Sequence, residues 1–291
     1  MEDKESITIR KAVINQAINY IFEHIDEDIM VEDVAKYCSY SKYHLMRMFK
    51  EDMDEALYQF IKRVRLERSA WRLKVEKERS ITEIGETYGY SSSNFATAFK
   101  KHLDISPADY RRSSEQMVED SSFSHGMTLD DLDDAGSKIT VEYLAPFTVL
   151  YERKKGNYHN LSDEWCDFIE KYKYLATKDT LYIDCTIDDP SITDEDGCMY
   201  ELCQTVMLDN SKLKEHPEIL LHEFEGGRYA VYHFRGIPQL LFMVYQEIFC
   251  RWLSRTGNEL DERPIIDIYR KVEESGYMEI DICFPLKTKQ S

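Results

Sequence analysis

Two sets of side chains in this sequence have the type and spacing to read nucleic-acid bases. The first is Lys42, Tyr43, Met46 and Arg47, with Lys50 a turn further on. The second is Ser92, Ser93, Ala96 and Thr97, with Asn94 near the helix start and Lys100 a turn beyond. On a helix, each set falls on the face left free when the apolar residues are buried. Arginine can pair bidentately with guanine O6 and N7, and asparagine with adenine N6 and N7. Lysines near helix ends meet phosphate instead, which positions a protein without specifying sequence. The first set is the stronger base reader. The second is small and neutral, and is expected mostly to grip the backbone. The bland reading of one such face is a solvated surface. Its in-register duplication favours double-stranded DNA as the partner.

A second chemistry sits in the C-terminal half, where carboxylates fall among aromatic rings. Asp184 lies in Tyr182-Ile-Asp-Cys, and Asp267 in Ile265-Ile-Asp-Ile-Tyr269. By strand alternation Asp267 and Tyr269 share one face. A carboxylate beside aromatic rings suits a lipophilic cation, through charge and cation–π attraction. Tyr151, Trp165, Tyr200, Phe234 and Tyr245 complete the candidate ligand-binding set. The competing reading is that the rings are ordinary core and the acids line an exposed sheet face. Enzyme signatures are missing: there is no Gly-x-Ser-x-Gly, phosphate-binding glycine loop or His-Glu-x-x-His. No catalytic residue is nominated, and no cofactor is expected. His222 and His233 read as structural. The seven cysteines contain no Cys-x-x-Cys pair, so no metal is expected, and buried reduced thiols in the cytoplasm are.

These side chains need elements to hold them. Val31–Lys50 and Ile81–Lys100 match without a gap at an offset of 50 residues. Each reads as a short helix, a tight turn and a second helix opened by a serine, Ser41 or Ser91, able to cap it. Ala35 and Gly85 are small where two helices cross. Leu45/Phe95 and Phe49/Phe99 fall on one buried face. A helical pattern over 8–25 precedes the first unit, a stiff helix over 56–77 joins the two, and Pro107 opens a short closing helix. Residues 113–137 are polar and acidic and read as a linker, with a helical turn near Leu129–Leu132. Strand patterns follow at 139–144, 147–153, 181–187, 199–207, 219–224, 228–235, 265–271 and 278–284, with helices at 161–174 and 238–255. Val149–Gly156 echoes Tyr229–Gly236, so this half is an internal repeat. Two sheets with their helices would leave a cleft at the pseudo-twofold, a common ligand position.

Net charge is −18 over 291 residues. Residues 1–115 hold 19 Lys+Arg and 21 Asp+Glu, a balance of −2, while residues 116–291 carry the other −16. The acidity therefore does not exclude a DNA-reading N-terminal half, where Lys62-Arg63-x-Arg65, Lys100-Lys101 and Arg111-Arg112 supply local positive charge. No apolar run has membrane-spanning length, and the charged N-terminus does not read as a secretion signal.

Ser41–Lys50, Tyr88-Gly-Tyr-Ser-Ser, Phe99-Lys-Lys-His and Ser106–Arg111 resemble the AraC/XylS DNA-binding domain. The resemblance covers residues 8–112, and implies seven helices with two recognition helices in successive major grooves. Copy two departs from the pattern: it is one residue shorter before Phe99, and Thr97 stands where the family often has arginine. Pro146–Gly156, Asp188-Asp-Pro190, Gly226–Tyr232, Phe234-Arg-Gly236, Asp267-Ile-Tyr269 and Ile282–Leu286 resemble the GyrI-like effector-binding domain. That implies two βαββ units around a central pocket for small aromatic or cationic molecules, with Asp267 at the family's usual pocket glutamate.

The expected architecture is thus an all-α double helix-turn-helix domain at 1–112, an acidic linker at 113–137 and an α+β domain at 138–291. The expected function is ligand-responsive regulation of transcription. On the resemblance alone the chain acts as an activator that contacts RNA polymerase. A hydrolase or a protein-binding module in the C-terminal half is the alternative.

Overall fold

The computed structural model describes residues 4–113, 138–207, 213, 216, 219–241, 244–245, 252–261 and 263–288. The chain divides into two compact units, Met1–Arg112 and Ser113–Ser291. Residues 114–137 of the expected linker with its helical turn at Leu129–Leu132, Cys250 and much of the 238–255 helix lie outside the described residues.

The first unit is helical. Among the described residues it holds α1 (Lys4–Glu23), α2 (Val31–Tyr37), α3 (Lys42–Met53), α4 (Leu57–Val75), α5 (Ile81–Thr87), α6 (Ser92–Leu103) and α7 over 107–113. The 50-residue repeat extends to the backbone. Ser39 and Gly89 both take positive φ in the turn between paired helices, and Asp54 and Asp104 both take it at the ends of α3 and α6. Glycine reaches this region freely, whereas Ser39 does so at a cost. Leu45, Phe49, Phe95 and Phe99 are fully buried. Gly85 lets α5 and α6 cross: a Cβ there would lie 2.7 Å from Phe95 Cγ.

The capping differs between copies. The Ser41 hydroxyl accepts the His44 N–H, but the Ser91 side chain makes no cap bond. The firmer cap is at Ser80, whose hydroxyl accepts the Glu83 N–H while the Glu83 carboxylate accepts the Ser80 N–H. That reciprocal pair satisfies two donors left over at the start of α5.

The second unit is one eight-stranded antiparallel sheet, where two sheets had been expected. Its strands are β1 (Thr140–Leu144), β2 (Phe147–Lys155), β3 (Tyr182–Thr186), β4 (Met199–Thr205), β5 (Leu220–Phe224), β6 (Gly227–Gly236), β7 (Ile265–Val272) and β8 (Met278–Pro285). The order β1-β6-β8-β7-β3-β4-β2-β5 shows why the sheet is continuous. The two halves join through β3 and β7, and each half lends its first strand to the other's edge: β1 pairs β6, and β5 pairs β2. This exchange covers the outer edges of β6 and β2 and leaves β1 and β5 as the end strands, which periodicity within one strand cannot reveal.

Helix α8 (Leu161–Tyr172) and the short α9 (Leu253–Thr256) accompany the sheet. One core cluster groups Phe168 and Tyr172 of α8 with Leu150, Tyr200 and Leu202. A second, built from Val149, Tyr151, Ile183, Cys185, Ile266 and Ile268, occupies the opposite face.

Candidate functional site

In the helical unit, α3 and α6 carry the candidate base readers. Burial of Leu45, Met48 and Phe49 leaves Tyr43, Arg47 and Lys50 exposed, with Lys42 and Met46 partly so. Burial of Phe95 and Phe99 likewise leaves Ser92, Ser93, Asn94, Thr97 and Lys100 exposed. Tyr43 is 84% exposed, which fits no role in the core. Not every cation is equally available. Lys42 pairs with Glu32 of α2 at 2.5 Å. The Thr97 hydroxyl donates to the Ser93 carbonyl at 3.0 Å. Among the described residues Arg47 has only a long contact with Glu51, at 4.0 Å.

The basic run at Lys62–Arg65 is a correction. Arg63 pairs with Glu55 and Glu67, and the Arg65 guanidinium donates to the carbonyls of Ile25 and Glu27. Arg65 ties α4 to the segment after α1, Arg63 is paired within α4 and the turn before it, and neither is presented as free positive charge. Glu67 also meets His102 of α6 at 3.3 Å, so one buried carboxylate ties the connecting helix to the second unit. A sequence pattern has no signal for that node.

In the sheet unit, register brings the candidate acids together. Asp184 of β3 lies directly opposite Asp267 of β7, at the centre of the strand pair that joins the two halves. Tyr182 opposes Tyr269 one step along the same face. Both aspartates are buried, at 4% and 5% exposure. The Tyr245 hydroxyl donates to Asp267 Oδ2 at 2.6 Å. Asp184 Oδ1 and Asp267 Oδ1 are buried with no hydrogen-bond partner among the described residues. Trp165, from α8, sets its ring at 6.1 Å from Tyr182 and 5.3 Å from Tyr269, close to perpendicular to the first. Two buried carboxylates thus share a face with the Tyr182 and Tyr269 rings, against which Trp165 packs.

The electrostatics follow from burial. Desolvation pushes the Asp267 carboxyl up to about 7, against the opposing pull of the Tyr245 hydrogen bond. Asp184 is raised well above the usual carboxylate range by desolvation first, then by Asp267 and Glu201. Burial also raises Tyr245 and Tyr269.

The remaining candidates divide. Phe234 shares the face of Tyr269 through Ile280, and is buried. Tyr200 is on this face as well, packed on Tyr158 at 5.0 Å within the α8 core. Tyr151 is a correction: it points to the opposite face, into the core with Ile183 and Ile268. An odd residue separates it from the acid row, and strand alternation sends it away. His222 packs edge-on against Phe224 and Tyr151. His233 is exposed on β6 and pairs with Asp281 at 2.6 Å. Of the cysteines, Cys38, Cys185, Cys198, Cys203 and Cys283 are buried thiols, while Cys166 is exposed. Among the described residues no cluster is arranged to hold a metal ion, and no helix is long and apolar enough to cross a membrane.

Fold and sites together define a helix-turn-helix protein with a small-molecule receptor unit. The chain belongs to the GyrI-like small molecule binding domain family, which residues 137–287 match, and residues 34–113 match a helix-turn-helix domain. It is similar to the transcriptional regulator Rob of Salmonella typhimurium, with 38% identity over 104 residues. That match spans 35% of this chain and only 36% of Rob. It is also similar to the regulatory protein SoxS of Escherichia coli, 37% identical over 100 residues, which are 34% of this chain and 92% of SoxS. Among solved structures, the C-terminal domain of AraT, a response regulator from Geobacillus stearothermophilus, has 34% identity. It covers 35% of this chain and 84% of that one, with a TM-score of 0.33.

Proposed function

We propose that this chain is a ligand-responsive bacterial transcription regulator, working in the cytoplasm as an activator that contacts RNA polymerase. Residues 1–112 bind promoter DNA through α3 and α6, residues 113–137 link the units, and residues 138–291 bind a small aromatic cation. The observation that carries the reading is the acid pair of the sheet unit. Two carboxylates with open oxygens lie buried on one face with Tyr182 and Tyr269, against which Trp165 packs, in a chain that also holds two helix-turn-helix units. Burying charge without a partner is costly, so such a site is supported by a ligand that supplies the missing cation. The ligand alters transcription only if it binds two arrangements of the protein with different affinity.

The test is fluorescence anisotropy on DNA upstream of the chain's own gene, over a salt series, with and without 2-(2-naphthyl)ethylammonium. We expect salt-dependent binding that weakens in Arg47→Ala and shifts when the cation is added. The cation's effect should vanish in Asp267→Ala and in Trp165→Ala. Unchanged cation affinity in both of those variants would show that the site is wrong. We assign the site no catalytic role, since the relatives are regulators. Steady hydrolysis of 2-naphthyl acetate that is lost in Asp267→Ala would reverse that assignment in favour of an Asp267–Tyr245 hydrolase.

A further inference from the structure

One carboxylate is enough to attract a cation, yet this site has two. Asp184 and Asp267 are cross-strand partners, so their Cα atoms are about 4.5–5.5 Å apart and their side chains rise side by side from the same face. Each is more than nine-tenths buried, and each keeps one oxygen with no partner. Tyr245 satisfies the other oxygen of Asp267. The two carboxyl groups therefore share one face at the seam of the sheet, one step from the Tyr182–Tyr269 pair on which Trp165 packs. A metal ion would want more oxygen ligands than these two, and no third candidate adjoins them among the described residues.

We propose that Asp184 and Asp267 act as one two-carboxylate receptor for the N–H-bearing head of an aromatic cation: an ammonium, amidinium or guanidinium. That head displaces a proton which the unliganded pair holds. The inference rests on the cation-binding reading above and narrows it, because a fully alkylated cation offers charge but no N–H donor to either open oxygen. Two carboxylates this close cannot both ionise in a desolvated site, so one carries a proton until a cation arrives. On binding, that proton leaves to solvent, and charge-assisted N–H···O bonds form to both oxygens.

The neighbouring groups fit this reading. On the same face lie Tyr182 of β3, Tyr269 of β7, Tyr232 of β6, Glu152 of β2 and Tyr245. Tyr245 and Tyr269 are pushed up by burial, away from neutral pH. Burial raises Glu152 too, but its bonds to Lys171 and Lys154 outweigh that and hold it below the usual range. Glu164 of α8 is paired with Lys154 at 2.7 Å, and Glu201, on the far face of β4, with Arg153. The β8 and β4 neighbours of the pair, Ile282 and Leu202, are apolar. The two aspartates are thus the groups placed to exchange a proton near neutrality.

The full-length protein tests this by titration calorimetry. The probes are 2-(2-naphthyl)ethylammonium and its N,N,N-trimethyl analogue, each run at pH 7 in buffers of different ionisation enthalpy. We expect the primary ammonium to bind at least about tenfold tighter than its quaternary analogue, the worth of one charged hydrogen bond. We also expect it to release a proton, seen as a buffer-dependent heat. Asp184→Asn should erase the preference and lower the proton release to what Asp267 alone can supply, while quaternary binding survives through Asp267. Equal binding of the two probes with no proton release, in wild type and Asp184→Asn alike, would overturn the two-carboxylate receptor and leave the Asp267 cation site standing. Binding of neither probe would overturn both. The wild-type proton count does not depend on how well the variant folds.

Discussion

At the scale of single residues, the two functional regions obey opposite rules. The base-reading candidates are exposed because DNA must reach them. Arg47→Ala is expected to weaken specific binding by about 1–3 kcal/mol while sparing non-specific affinity, read as the ratio of the two by anisotropy. The candidate acids of the ligand site, Asp184 and Asp267, are buried, which makes their charge conditional. A carboxyl whose pKa is higher folded than unfolded binds protons more tightly in the folded state. Its penalty is absent below the unfolded value and grows as pH rises toward the folded one. Asp267, shifted to about 7, should therefore make the unliganded sheet unit lose stability as pH climbs from about 4 toward 7. The slope is at most about 1.4 kcal/mol per pH unit for one group. Asp184→Asn and Asp267→Asn should flatten that fall in chemical denaturation series. An unaltered slope in both variants would mean the pair is not its source.

At the scale of elements, small residues and turn geometry decide whether the recognition helices are held. Gly85→Ala places a methyl 2.7 Å from the Phe95 ring carbon, where close-packed neighbours have little room to yield. We expect a loss of about 1–3 kcal/mol. DNA affinity should fall with it, since α6 rides on that crossing. Ser80→Ala removes half of a reciprocal cap and should cost about 1 kcal/mol. The same change at Ser91, which makes no cap bond, should cost much less. Thermal melts of the two serine variants test the difference directly. The sequence led to Ser91 because it aligns with Ser41. Alignment identifies a position, but the donor-to-hydroxyl geometry that makes a cap depends on how the turn closes.

At the scale of the molecule, charge is divided between the parts. The chain total is −18, but only −2 of it lies within residues 1–115. DNA affinity should fall steeply with salt all the same, because phosphate contacts release counterions locally. Replacing Lys50 or Lys100 with alanine should lower the log–log salt slope by about 0.9 if each meets one phosphate. A cation at a hundred times its Kd is expected to add about 2.7 kcal/mol to the unfolding transition that includes the sheet, read by calorimetry.

Local order was legible from the residues: the repeat of the two helix-turn-helix units, the eight strands, and the face shared by Asp267 and Tyr269. Each follows from a short period, 3.6 for helices and 2 for strands, which the side-chain pattern carries by itself. What spans long separations was not legible. The single sheet, the exchange of β1 and β5 and the meeting of Asp184 with Asp267 are set by pairings between residues far apart in the chain. So is the role of Arg65, whose guanidinium is taken up by the carbonyls of Ile25 and Glu27, 40 and 38 residues away. Tyr151 had the right chemistry for the ligand site and the wrong parity. A residue's type states what it can bind; the pairing of its strand decides what it faces.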